Sequence, residues 1–105
     1  MAGGVVALDN DWLAARLREG PGPLADRTRG LVAEAAADRP LSERLAGAAA
    51  RALDSALSVG ASRAAALDLL AADALVTLAL EAVAEERPAD LAAFALGLRG
   101  GKRPA

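Results

Sequence analysis

The chain has 105 residues, 54% of them apolar and only 2% aromatic, and its 12 basic and 14 acidic side chains leave a net charge of −2. That length makes one domain able to close a single core, and charges of both signs interspersed along the chain disfavour a nucleic-acid partner, which is gripped through its phosphates. With no cysteine and no histidine, disulfides, thiol nucleophiles, haem attachment, the usual zinc ligand sets and imidazole acid–base chemistry are all excluded.

At the start, Met1-Ala2-Gly3-Gly4-Val5-Val6 has neither a basic segment nor a long apolar run. It does not read as a secretory signal, so a cytoplasmic protein with flexible residues 1–7 is expected. Asp9, Asn10 and Asp11 precede Trp12-Leu13-Ala14-Ala15-Arg16-Leu17, and an acidic cluster before an apolar run predicts a helix over about 10–19. Gly20-Pro21-Gly22-Pro23 closes it. A second helix is predicted over about 24–37, with Leu24, Thr28, Leu31, Val32 and Ala35 on one stripe and Gly30 weakening it by roughly 1 kcal/mol relative to alanine.

Pro40 disfavours helix at the residue before it but is welcome in a first turn. The third helix is therefore placed over 41–58. On a wheel, Leu41, Leu45, Ala49, Ala52, Leu53, Ala56 and Leu57 fill one arc, and Glu43, Arg44, Gly47, Arg51, Asp54, Ser55 and Ser58 the other. Gly60 fits a left-handed stop and Ser62 the cap of the next helix, which makes an antiparallel hairpin. That fourth helix, over 62–87, carries Leu67, Leu69, Leu70, Leu75, Val76, Leu78, Leu80 and Val83 around most of its circumference. A helix of this kind is enclosed by others or by copies of itself. Its longest uncharged part, Ala74 to Leu80, falls far short of the roughly 20 residues that cross a bilayer, so no membrane span is expected. Pro88 breaks the pattern, and Leu91, Phe94 and Leu98 mark a short last helix over 89–98, with 100–105 as a flexible end. The expected fold is all-α: a small bundle of four to five helices with a long central apolar helix, in one domain covering 1–105.

Asp68 is the most informative polar residue, because it falls among Leu75, Ala79 and Ala64 rather than on the polar strip of its helix. It reads either as a carboxylate of raised pKa in an apolar pocket, a candidate catalytic or ligand-binding group, or as the partner of Arg51 or Arg44 from a neighbouring helix. Pairing is the expectation, since buried charges survive by being paired. Asp73, Thr77 and Glu81, spaced by four, put two carboxylates and a hydroxyl on one strip. Such a strip could hold a ligand or a divalent ion, or it is the one solvated edge of a buried helix, and the second reading is favoured. Metal sites in bundles usually include histidine; no metal and no cofactor are expected. Trp12 is a candidate partner anchor or the plug of a core of small side chains, and Leu75 and Leu78 are further interface candidates.

The stretch Leu69 to Glu81, with Ala72-Asp73-Ala74-Leu75 at its centre, resembles a helix of trans-isoprenyl diphosphate synthases in which a Gly-Asp-Ala-Leu pattern recurs. The aspartate-rich DDxxD motif of that family is absent, so the resemblance implies no activity and no site residue. Arg99, Lys102 and Arg103 make a basic tail, which reads as a solubilising end. An alanine-rich core buries little area at roughly 25 cal/mol per Å², which favours self-association as a source of further burial. The expected function is a small helical interaction module, homo-oligomeric rather than enzymatic; the alternative is a helical pocket for an apolar small molecule, catalytic through Asp68.

Overall fold

Two antiparallel helices, α3 (Leu41–Val59) and α4 (Arg63–Glu86), form the spine of the protein. The computed structural model describes the backbone of residues 2–18, 20 and 22–99, and the side chains of these residues except 2–8 and 59. The hairpin between α3 and α4 is built from two local signals. Gly60 takes φ 71° and ψ −164°, an extended mirror-image conformation almost reserved for glycine rather than the left-handed helical one expected. Ser62 Oγ then accepts from the Ala65 amide at 3.0 Å and caps α4. Gly60→Ala is expected to cost about 1–2 kcal/mol through this backbone strain, read as a lower urea midpoint with an unchanged slope.

The spine is closed by small side chains. Among the described residues eleven of the twenty buried apolar ones are alanine, including Ala48, Ala52, Ala71 and Ala79. Methyl groups at these positions let the two backbones approach closely, and Leu45 and Leu75 fill what remains. α3 begins directly after Pro40, and Arg44 N donates to Pro40 O at 3.0 Å.

α2 (Gly22–Ala33) lies against both spine helices and buries Ala25, Thr28, Leu31 and Val32. It starts two residues earlier than expected, because Pro23 is tolerated in a first turn. It also stops four residues earlier, at Ala33: the Leu31 carbonyl is taken by Arg51 Nη2 from α3, and Ala35 N turns back to Val32 O at 3.0 Å.

α1 spans Ala2–Leu17, so the expected start at residue 10 is corrected, as is a flexible 1–7: helix covers 2–7. The acidic trio lies inside the helix instead of capping it. The preceding Ala2-Gly3-Gly4-Val5-Val6-Ala7-Leu8, with two glycines and two valines, has weak helix propensity, so local preference does not account for the longer helix; Asp9 is held by Arg44 of α3, 3.5 Å from its Nη1. α1 docks through Trp12, Leu13 and Leu17 on the side of the spine that α2 also covers. On the other side a 3₁₀ turn (Pro88–Asp90) leads into α5 (Leu91–Arg99), which packs on α4. Phe94 and Leu98 are its half-buried contacts, and none of its residues is fully buried. Residues 100–105, expected as a flexible end, lie outside the described residues, as do Lys102 and Arg103 of the basic tail.

The fold is thus an all-α bundle of five helices among the described residues, with α4 at its centre. α4 is not enclosed all round, however: Leu69 and Leu70 are exposed. No helix among the described residues is long and apolar enough to cross a membrane.

Candidate functional site

Asp68 is 6% exposed, as its place on the wheel foretold. Its partners are neither Arg51 nor Arg44 but Arg27 of α2, whose Nε donates to Oδ1 at 2.7 Å, and Ser55 of α3, whose hydroxyl donates to Oδ2 at 2.7 Å. Three helices therefore meet on one carboxylate. The hydrogen bond from Arg27 first, and that from Ser55 second, hold its pKa below the usual aspartate value in spite of burial. A carboxylate kept ionised and doubly bonded is not the raised-pKa acid of the catalytic reading. The other two arginines are engaged elsewhere, Arg44 with Asp9 and Arg51 with Glu34 and the Leu31 carbonyl.

The Asp73–Thr77–Glu81 strip faces α1 and solvent. Asp73 and Thr77 are exposed, and Thr77 Oγ1 donates to the Asp73 carbonyl at 3.1 Å. Glu81 is half-buried beneath Arg16 of α1, whose Nε donates to it at 3.0 Å. No three carboxylates among the described residues come together to hold an ion.

Glu85, one turn further along, completes a clamp on α1. It accepts from Arg16 Nη2 at 2.8 Å and from Trp12 Nε1 at 3.1 Å, and the Arg16 guanidinium lies 4.7 Å from the centre of the Trp12 ring. Trp12 is therefore the half-buried pin of α1 on α4 rather than a free anchor. These groups face solvent, so Glu85→Ala is expected to cost less than about 1 kcal/mol. The emission of Trp12, the only tryptophan in the chain, should shift to the red as its ring loosens.

Nearby, Glu86 has its pKa pushed up by partial burial first and by Asp9 second. The folded state binds this proton more readily than the unfolded chain does, so Glu86 costs stability at neutral pH and the cost is relieved on acidification. Asp68 has the opposite sign: its stabilisation is complete above the unfolded aspartate value and is lost as the pH falls below about 4. Thermal unfolding is expected to show stability rising slightly as the pH falls towards the ordinary glutamate value and then falling below about 4. In Glu86→Gln the rise should vanish and the fall should remain.

Leu75 and Leu78, expected at an interface, are buried within the core. Leu75 is fully enclosed, and Leu78 reaches the wall of a cleft beside Thr77 and Glu81. The apolar surface lies elsewhere, on residues assigned to the core arc of α3. Leu53 is 43% and Leu57 72% exposed. They continue the stripe of Ser42 and Ala46 at spacings of seven and four. At the start of α3 this stripe is covered: Ser42 and Ala46 are buried, and Arg87, just before α5, donates from Nη2 to Ser42 Oγ at 3.0 Å. α5 packs on α4, and the stripe beyond Ala46 is left in water. On α4, Leu69 shares a stripe with the half-buried Val76 and Leu80 on the face left open by α1 and α2, and it is 50% exposed. Because Ser55 and Asp68 bond across the hairpin, Leu53, Leu57 and Leu69 belong to the same end of the spine.

A separate cleft of about 300 Å³ opens between the α1–α2 turn and α4. Leu17, Leu24, Ala74 and Leu78 give it apolar walls, and Arg16, Thr77 and Glu81 stand among its lining. Asp68 does not line it. Compared with known protein families, curated proteins and solved structures, the chain matches none.

Proposed function

We propose that the chain is a helical interaction module that pairs with a second copy of itself through the α3–α4 face carrying Leu53, Leu57 and Leu69. The observation that supports this reading is the distribution of leucine. Among the described residues seven leucines are buried in the core, yet five are exposed, and three of these stand on one uncovered side of the spine. In a chain whose core is largely alanine, large side chains left in water mark a surface that gains by being covered. An apolar face with no charge pattern of its own is complementary to its twin across a two-fold axis, the commonest symmetry of soluble oligomers. Light scattering coupled to size exclusion over a concentration series tests it. A dimer whose fraction grows with concentration is expected; a strict monomer at several hundred micromolar contradicts the reading.

The cleft beside Thr77 and Glu81 supports a second reading, the binding of an apolar small molecule. Its apolar lining and a volume at the lower end of ligand pockets are the supporting observations. Ala74→Trp would fill it. An environment-sensitive apolar dye that brightens with the wild type and not with this variant would favour this reading, and equal dye response in both would remove it.

A further inference from the structure

A cluster of cations on the remaining flank is explained neither by the bundle nor by its apolar face. On α3, Arg44, Gly47 and Arg51 follow at spacings of three and four, so two guanidiniums flank a glycine on one strip. With Arg39 from the α2–α3 connection, and with Glu34 and Glu43, they line a cleft of about 290 Å³. Arg44 is 6% exposed, and a guanidinium so deeply buried normally has its donors filled. Here they are not: Arg44 Nε and Nη1 and Arg51 Nε are buried without a hydrogen-bond partner.

The neighbouring carboxylates balance charge without satisfying these donors. Asp9 stands 3.5 Å from Arg44 Nη1, and Glu34 3.7 Å from Arg51 Nε. Arg51 is anchored at the end of α2 by its bond to the Leu31 carbonyl. Gly47 adds a second observation. A glycine in mid-helix is unfavourable beside alanine, yet a Cβ placed here would meet only Arg51 Nη1, at 3.7 Å. Close packing does not demand the glycine; the room a side chain would take is where the Arg51 guanidinium lies, at the wall of the cleft.

We propose that this cleft is a binding site for a phosphate group, held between Arg44 and Arg51 over Gly47 with Arg39 at the rim. Two arginines approaching from opposite sides of a glycine suit a tetrahedral oxyanion, which offers oxygens in several directions. A planar carboxylate is matched by a single guanidinium fork. On binding, Glu34, whose side chain is 63% exposed, is free to turn into water and leave Arg51 to the ligand.

Inorganic phosphate is the probe. Phosphate stabilises any protein by exclusion from its surface, so the reading is made by comparing variants at matched ionic strength. Gly47→Leu puts a side chain against the Arg51 guanidinium at the wall of the cleft, removes no charge and improves helix propensity. Wild type is expected to melt several degrees higher in phosphate than in chloride, with the Gly47 amide resonance moving to a saturating shift. Gly47→Leu and Arg44→Gln should keep only the small, non-saturating salt effect. Should Arg44→Gln fail to fold, Gly47→Leu decides alone. An equal phosphate increment in wild type and Gly47→Leu, or a non-saturating Gly47 shift, overturns the proposal. Acetate producing the same saturating shift overturns the assignment to phosphate. Comparing glycerol phosphate with inorganic phosphate then tells a phosphomonoester from the free ion, the tighter binder being the source for which the site is built.

Discussion

Replacing Asp68 with alanine is expected to lower the unfolding free energy by about 2–4 kcal/mol. The carboxylate joins α2, α3 and α4 in one place, through Arg27 at 2.7 Å and Ser55 at 2.7 Å. Its removal leaves two donors facing a cavity the size of a carboxyl group. Arg27 is 35% exposed and can recover some hydration, which holds the loss below that of a fully enclosed pair. Asp68→Asn keeps the shape and an acceptor for Ser55 but not the charge that holds Arg27, so its loss should fall between the two. The pair Asp68→Leu with Arg27→Met should recover much of the stability, because well-packed apolar groups often replace a buried ion pair at little cost. Urea unfolding followed by helical circular dichroism checks all three. If Asp68→Ala lies within about 0.5 kcal/mol of wild type, the network is not the tie between the three helices.

The helical class, the hairpin and the burial of Asp68 were legible because each rests on local chemistry. Proline at 40 and 88, the cap at Ser62 and the positive-φ glycine at 60 act within a turn of their own position. The N-terminal helix was misread for the same reason. Asp9, Asn10 and Asp11 form a good local cap, but Asp9 finds a better partner in Arg44, 35 residues away in sequence, and no local pattern announces a contact of that range. The early end of α2 has the same origin, since Arg51 takes the Leu31 carbonyl from outside the helix.

The surface was less legible than the core. A wheel assigns a residue to a face but does not say how far the neighbour on that face extends. Leu53 and Leu57 share a side with the buried Ser42 and Ala46 and were assigned to the core with the rest of the apolar arc; they stand in water because the cover over the start of that arc does not extend to them. Leu75 and Leu78 show the converse: both are buried in the single chain, Leu78 at the wall of the cleft beside Thr77 and Glu81. Arg27 lies outside the apolar stripe read for α2, and Arg44 was placed on the polar arc of α3. One closes the Asp68 network and the other is almost fully buried, and nothing in their own sequence neighbourhoods separates them from Arg29 or Arg63, which are exposed.

Leu57→Glu is expected to abolish self-association while leaving the protomer folded. The side chain is 72% exposed in the single chain, so the substitution exposes nothing new and should change protomer stability by no more than about 0.5 kcal/mol. In a two-fold pair the same position occurs twice near the centre of the face, and two carboxylates would be desolvated without a partner. Central apolar anchors of this kind cost about 2 kcal/mol or more when lost, which weakens association by roughly thirtyfold or beyond. Leu53→Glu and Leu69→Glu should act in the same direction. Leu70→Glu is the control, because Leu70 is comparably exposed but lies on the stripe of Ala74, Thr77 and Glu81, facing the side of α1 and α2. Sedimentation equilibrium on the four variants separates the outcomes: a dimer lost with Leu53, Leu57 and Leu69 and kept with Leu70 locates the interface on the side of the spine that α5 leaves open. A dimer that survives Leu57→Glu and fails with Leu70→Glu would move the interface to the opposite face, where the apolar cleft beside Thr77 and Glu81 would lie beneath the partner.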